Sequence, residues 1–101
     1  MSYKSIIVTE RGGPEVLQVV ESDLREPTDG EARIRILATP VVQDDVGVRR
    51  GNRPFLPKTP FVPGYSILGV VDALGQGVTG VVVGDRVAAL TQFGGHAEYI
   101  Y

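Results

Sequence analysis

One histidine and no cysteine narrow the chemistry open to this 101-residue chain. His96 carries a ring suited to acid–base work near neutral pH, and Glu98, two positions on, would share its face on a strand. Spacing places no serine or other nucleophile beside them, so His96 equally reads as a histidine at the surface or end of a strand. Tyr65 and Ser66 directly follow Pro63-Gly64, a turn able to present them to a cleft. There Tyr65 would donate a hydrogen bond to a substrate oxygen, or else pack with its hydroxyl in water. Asp45 is a candidate base, yet Arg49 follows at the helical spacing and in the order that favours a surface ion pair. The missing cysteines remove thiol nucleophiles, disulfides and the soft half of the zinc-ligand set, and the loop spacing of a calcium site is absent. No metal is expected.

Gly75-Gln76-Gly77-Val78-Thr79-Gly80 imitates a dinucleotide-binding fingerprint behind a predicted strand. That chemistry needs a helix whose first amides face a pyrophosphate. The residues that follow, Val81-Val82-Val83-Gly84-Asp85, are β-branched and broken by glycine. A loop between strands is therefore expected, and no dinucleotide held by this chain alone.

The elements that must position these residues are mostly strands. Thirteen glycines and seven prolines punctuate short apolar runs, which suits an all-β domain. The spacing predicts strands over 3–9, 16–20, 32–38, 67–74, 85–90 and 97–101. The alternation that opens the third implies one wet face and one buried face. One segment departs from this pattern. Thr39 as cap, Pro40 in the first turn, Asp44 and Asp45 early, Arg49 and Arg50 late and Gly51 as stop predict a ragged helix over 40–50. Gly47 weakens its interior by about 1 kcal/mol relative to alanine.

A formal net charge of −2 argues against a nucleic-acid or anionic-membrane partner, and the Arg49, Arg50, Arg53 cluster reads as a solvated face. No run approaches the length of a membrane span, and the first residues are too weakly apolar for a signal peptide. The expected compartment is the cytoplasm.

The order of the turns carries a resemblance. Gly12-Gly13-Pro14-Glu15-Val16-Leu17, Arg49-Arg50-Gly51, Pro60-Phe61-Val62-Pro63-Gly64-Tyr65, Gly84-Asp85-Arg86-Val87 and Gly94-Gly95-His96-Ala97-Glu98-Tyr99 follow one another along the chain. This series resembles the N-terminal, GroES-like domain of the medium-chain dehydrogenase/reductase superfamily, in its zinc-free, quinone-oxidoreductase-like branch. The resemblance spans nearly the whole chain. It implies an all-β, partly open barrel with one short helix, forming a substrate-side domain over residues 1–101. The Rossmann cofactor domain of such an enzyme is absent from these residues.

The complete enzyme would use NADP(H) to reduce a quinone or an α,β-unsaturated carbonyl, without zinc. Zinc-dependent relatives have a cysteine ligand where Val42 stands and a histidine ligand where Tyr65 stands. Zinc-free members usually carry a polar residue at the position of Val42, where nicotinamide contact falls, some a tyrosine at Gly47 and commonly an aspartate at Ser66. Val42, Gly47, Tyr65 and Ser66 are the expected substrate-pocket positions, and Asp45 and Arg49 are expected to hold the helix and its adjoining loop. The isolated piece is expected to be inactive and to self-associate through an open edge. Two other readings remain open: a stand-alone GroES-like binding module, whose mobile loop would be residues 52–62, and an enoyl-reductase unit of a larger synthase.

Overall fold

The computed structural model describes all 101 residues. Strands β1 (Ser2–Val8) and β2 (Leu17–Asp23) form an antiparallel hairpin. Their turn runs through Gly12-Gly13 and a short 3-10 helix at Pro14–Val16. Strands β3 (Ala32–Ala38), β4 (Ser66–Leu74), β5 (Arg86–Leu90) and β6 (Tyr99–Ile100) form an antiparallel sheet in the order β5-β4-β3-β6. The single helix α1 spans Gln43–Arg50.

The two sheets are joined by the stretch leading into β6. Ile6 N–H donates to His96 O at 2.9 Å and Glu98 N–H to Lys4 O at 2.9 Å, while Ile36 N–H donates to Glu98 O at 2.8 Å on the other side. Residues 96–98 thus serve both β1 and β3, and a second bridge pairs Val8 with Phe61. The result is a curled, all-β arrangement of open sheets, as the resemblance implies. The loop over 52–62 is held at that bridge and at Pro57, whose carbonyl accepts from the Arg11 guanidinium.

An open arrangement buries little. The apolar core is Val8, Val16, Ile67 and Val71, while Leu90 on β5 is 76% exposed and Val19 on β2 is 63% exposed. The expected alternation of β3 holds over Ile34–Leu37, with Ile34 and Ile36 half-buried and Arg35 and Leu37 exposed, and departs at Arg33, which is largely covered and bonds Asp72 on β4 at 2.7 Å.

The helix begins three residues later than the sequence implies. Thr39 is not its cap, because its hydroxyl donates to Ser66 O at 2.9 Å. Pro40 lies outside the helix as well. Val42 takes the cap position and has no side-chain acceptor, so the start is fixed from the other side: Asp45 accepts the Val42 N–H at 3.0 Å. The stop falls where expected, at Gly51 in the left-handed region with φ 86°. The last turn's carbonyls are taken by the first turn of the chain, with Arg11 Nη1 donating to Val48 O and Gly12 N–H to Arg49 O.

Candidate functional site

An open hollow of about 700 Å³ lies between the β1–β2 hairpin, α1 and residues 96–98. Its apolar wall follows from strand geometry. Ile6 and Val8 are two apart on β1 and share a face, directly opposite Val19 and Leu17 on β2. Val46 faces them from α1, and Pro63 adds to the wall.

The polar end is His96 and Asp45. His96 Nε2 stands 3.0 Å from Pro40 O and 3.6 Å from Asp45 Oδ2. Both side chains are largely covered, with 13% and 5% of their surfaces exposed. His96 is put there by two glycine turns packed together. Gly95 N–H donates to Gly64 O at 3.2 Å and His96 N–H to Pro63 O at 2.9 Å. Gly64 has φ +121°, and a Cβ on it would collide with the His96 amide and Gly95 backbone. No larger residue lets these chains approach so closely.

This geometry corrects two expectations. Asp45 is not in a surface pair with Arg49. It is buried, holds the start of α1 and faces His96. Arg49 Nε instead donates to Gly12 O at 3.1 Å, so its work is to tie the helix to the adjoining loop. His96 sits at the entry to the last strand, as one reading had it, but it is mostly covered and belongs to the hollow.

The four expected pocket positions are scattered. Val42 starts α1, half-buried, and Gly47 is buried inside the helix beneath the Arg53 guanidinium, which Asp44 holds at 3.0 Å. Tyr65 is half-buried, and its carbonyl accepts from the Thr91 and Gln92 amides. Ser66 opens β4 and borders a second, shallower hollow of about 610 Å³ with Thr39, Leu68, Ala89 and Leu90. Val42, Gly47 and Tyr65 line neither hollow. Lys4, Ile6, Val19, Thr39 and Val46 border the larger one and had no chemical signature in the sequence. The same-face spacing of Lys4, Ile6 and Val8 is the signal that could have grouped three of its wall residues.

The residues present build neither a metal site nor a pyrophosphate cradle. His96 and Asp45 converge without a third donor, and no three His, Cys, Asp or Glu side chains are grouped to hold a metal ion. Gly75–Gly80 is a loop with no helix after it. A Cβ on Gly75 would overlap the Thr28 carbonyl, and Gly75 N–H donates to Glu31 O at 2.7 Å. That glycine serves loop packing, as the β-branched residues behind it implied. No helix in the chain is long and apolar enough to cross a membrane.

Comparison with known proteins agrees with this architecture. Residues 28–101 match the family model described as the alcohol dehydrogenase GroES-like domain. The chain is 38% identical over 97 residues to the human synaptic vesicle membrane protein VAT-1 homolog-like, covering 96% of this chain and 23% of that protein. The crystal structure of the human VAT-1 homolog-like protein superposes with a TM-score of 0.90, covering 99% of this chain and 32% of that one. Quinone oxidoreductase from Lama guanicoe is 37% identical over 99 residues, covering 95% of this chain and 30% of that protein. A mycobacterial structure complexed with NADPH is 39% identical with a TM-score of 0.81, covering 96% of this chain and 30% of that one. The chain thus spans only 23% to 32% of the length of these relatives. Family match, open all-β architecture and single short helix agree, and the chain belongs to the alcohol dehydrogenase GroES-like domain family, as an N-terminal domain of the quinone-oxidoreductase-like medium-chain dehydrogenases/reductases.

Proposed function

We propose that this domain supplies the substrate side of a zinc-independent, NAD(P)H-dependent oxidoreductase acting on quinones or α,β-unsaturated carbonyls. The observation that carries this reading is the similarity to quinone oxidoreductase across 95% of the chain. Zinc independence is supported by the donor set, because valine and tyrosine stand at positions 42 and 65 and only two donors meet at His96. Val42, Gly47, Tyr65 and Ser66 line no common hollow within this domain. In this reading they stand at a cleft that the separately held nicotinamide completes, with Val42 nearest the ring, Tyr65 meeting the carbonyl oxygen and Gly47 behind the Arg53 guanidinium. Hydride transfer of this kind depends on orientation and polarisation rather than on a protein nucleophile. The domain works in the cytoplasm on a small molecule, with neither nucleic acid nor membrane as partner. Alone it is inactive, and it self-associates through the free edge of β5, where Leu90 is exposed.

A chimera tests the reading. This chain replaces the matching N-terminal segment of the Lama guanicoe quinone oxidoreductase. NADPH-dependent quinone reduction that survives chelator is expected. A folded chimera without turnover, or one that chelator inactivates, overturns the proposal. NADPH fluorescence should not respond to the isolated chain, and micromolar binding there would also count against it.

A further inference from the structure

The side of α1 turned away from the hollow carries a fixed cation that the reductase reading leaves unused. Asp45, Val46 and Arg49 border the hollow, and the helical repeat puts Asp44, Gly47 and Arg50 on the other side. Gly47 has no side chain, and the Arg53 guanidinium from the following loop takes that room. A Cβ on Gly47 would stand 2.6 Å from both Arg53 Cζ and Nη1. Glycine weakens the helix here, and it also makes the seat in which a planar cation lies against the backbone.

The guanidinium is oriented as well as seated. Its Nε donates to Asp44 Oδ1 at 3.0 Å, which fixes one edge of the plane. The other end is almost free: Nη1 reaches Asn52 O only at 3.5 Å, and Nη2 has no partner. No buried side-chain nitrogen lacks a partner, so Nη2 of this half-buried arginine is open to solvent. Arg50 is exposed on the same side of α1. Arg50 and Arg53 against Asp44 give that side a net positive charge.

Val42 and Gly47, the expected pocket positions on α1, have no side-chain donor of their own. The donor that stands over Gly47 is a permanent cation whose Nη protons lie in one plane. A neutral carbonyl gains a hydrogen bond from such a group, whereas a carboxylate gains opposite charge and a matching planar pair of acceptors. We propose that Arg53 is a specificity-determining residue, and that the substrate is a quinone or enone with a carboxylate remote from its reducible carbonyl. The Arg53 Nη protons bind that carboxylate. This rests on the reading that position 47 borders the cleft completed by the nicotinamide.

The chimera with the Lama guanicoe enzyme carries the test, using two probes with the same ring, a 1,4-naphthoquinone bearing a propionate chain and its methyl ester. The acid should be reduced with a kcat/KM about tenfold above that of the ester, the worth of one charge-assisted hydrogen bond, and the difference should lie in KM. Calorimetry on the complex with oxidised NADP, where no turnover takes place, should rank the two probes in the same order. Arg53→Gln should cut the ratio to less than about twofold, and Arg53→Lys, which keeps the charge without the fork, should retain about threefold. Acid and ester reduced equally well, or a preference that survives Arg53→Gln, would overturn this inference and leave the reductase reading standing. A folded chimera that reduces neither probe would overturn both.

Discussion

Two glycine-rich regions of this domain do different work. In the loop at Gly75–Gly80, Gly75 lets β4 end against the Thr28 carbonyl, and Gly77 and Gly80 supply positive φ with nothing packed near them. At the junction of Pro63-Gly64 with Gly94-Gly95, the close approach is buried, and the next residue is His96. The first region has the more suggestive sequence pattern and no side chain of chemical use beside it. The second has only an ordinary Pro-Gly and an ordinary Gly-Gly turn, yet it delivers an imidazole to a buried carboxylate. A glycine reports that the backbone comes close to something, and chemistry follows only where that approach also carries a functional side chain to a partner.

The sharpest way to break this contrast is to add a methyl group to each region. Gly64→Ala should be the more damaging, because φ +121° is strained for alanine and the Cβ meets backbone atoms that cannot yield. A loss of about 3 kcal/mol is expected, read from the urea midpoint, with the His96 amide resonance displaced. Gly75→Ala also meets backbone, at Thr28, but in a less buried place and without positive φ. About 2 kcal/mol is expected there by the same measurement, with His96 resonances unchanged. Equal disturbance of His96 by both variants would erase the distinction between the regions.

The strands were largely legible, because β-branched runs bounded by glycine turns encode them locally. β2 runs on to Asp23, beyond the predicted Val20, because β1 pairs with it from Ser2 onward and length is set by the partner. Gly51 announced the helix stop through the φ it alone adopts easily. The start was misread because Thr39-Pro40 has the right residue types, while the Thr39 hydroxyl is engaged by β4. That competition is tertiary and leaves no local trace. Asp45 meeting His96 is the same kind of case: the Pro63-Gly64 turn fixes the His96 backbone, α1 carries Asp45, and no periodicity links the two.

The Asp45 side of the junction offers a smaller effect. Asp45 fixes the start of a helix whose cap residue has no acceptor of its own, through the bond from Val42 N–H. Asp45→Ala should lower stability by about 1 kcal/mol, within the range for lost helix-start contacts. The loss should appear in denaturant unfolding together with increased amide exchange at Val42 and Gln43. Asp45→Asn keeps an acceptor and should recover part of it. Unchanged exchange at Val42 would mean that the helix start is held by the surrounding chain instead.

The glycine loop has its own charged support, and its effect is the smallest. Hydrogen bonding from the Arg25 guanidinium, then from the Thr28 amide and hydroxyl, holds the Glu31 carboxyl at about 2 instead of its ordinary 4.5. A carboxylate with a lowered folded-state value favours the folded state above its unfolded value, and that contribution drains away as pH falls through the folded one. Stability should therefore decline between about pH 4.5 and 2. Glu31→Gln should flatten this part of the profile and leave the neutral-pH cavity contacts at His96 unaltered. The effect stays small because Arg25 and Glu31 are 47% and 31% exposed, and water screens the pair. An acid profile identical in wild type and Glu31→Gln would remove the loop's ionic support. Close backbone packing at Gly75 would then be left to hold this region, the one device it shares with the junction at Gly64.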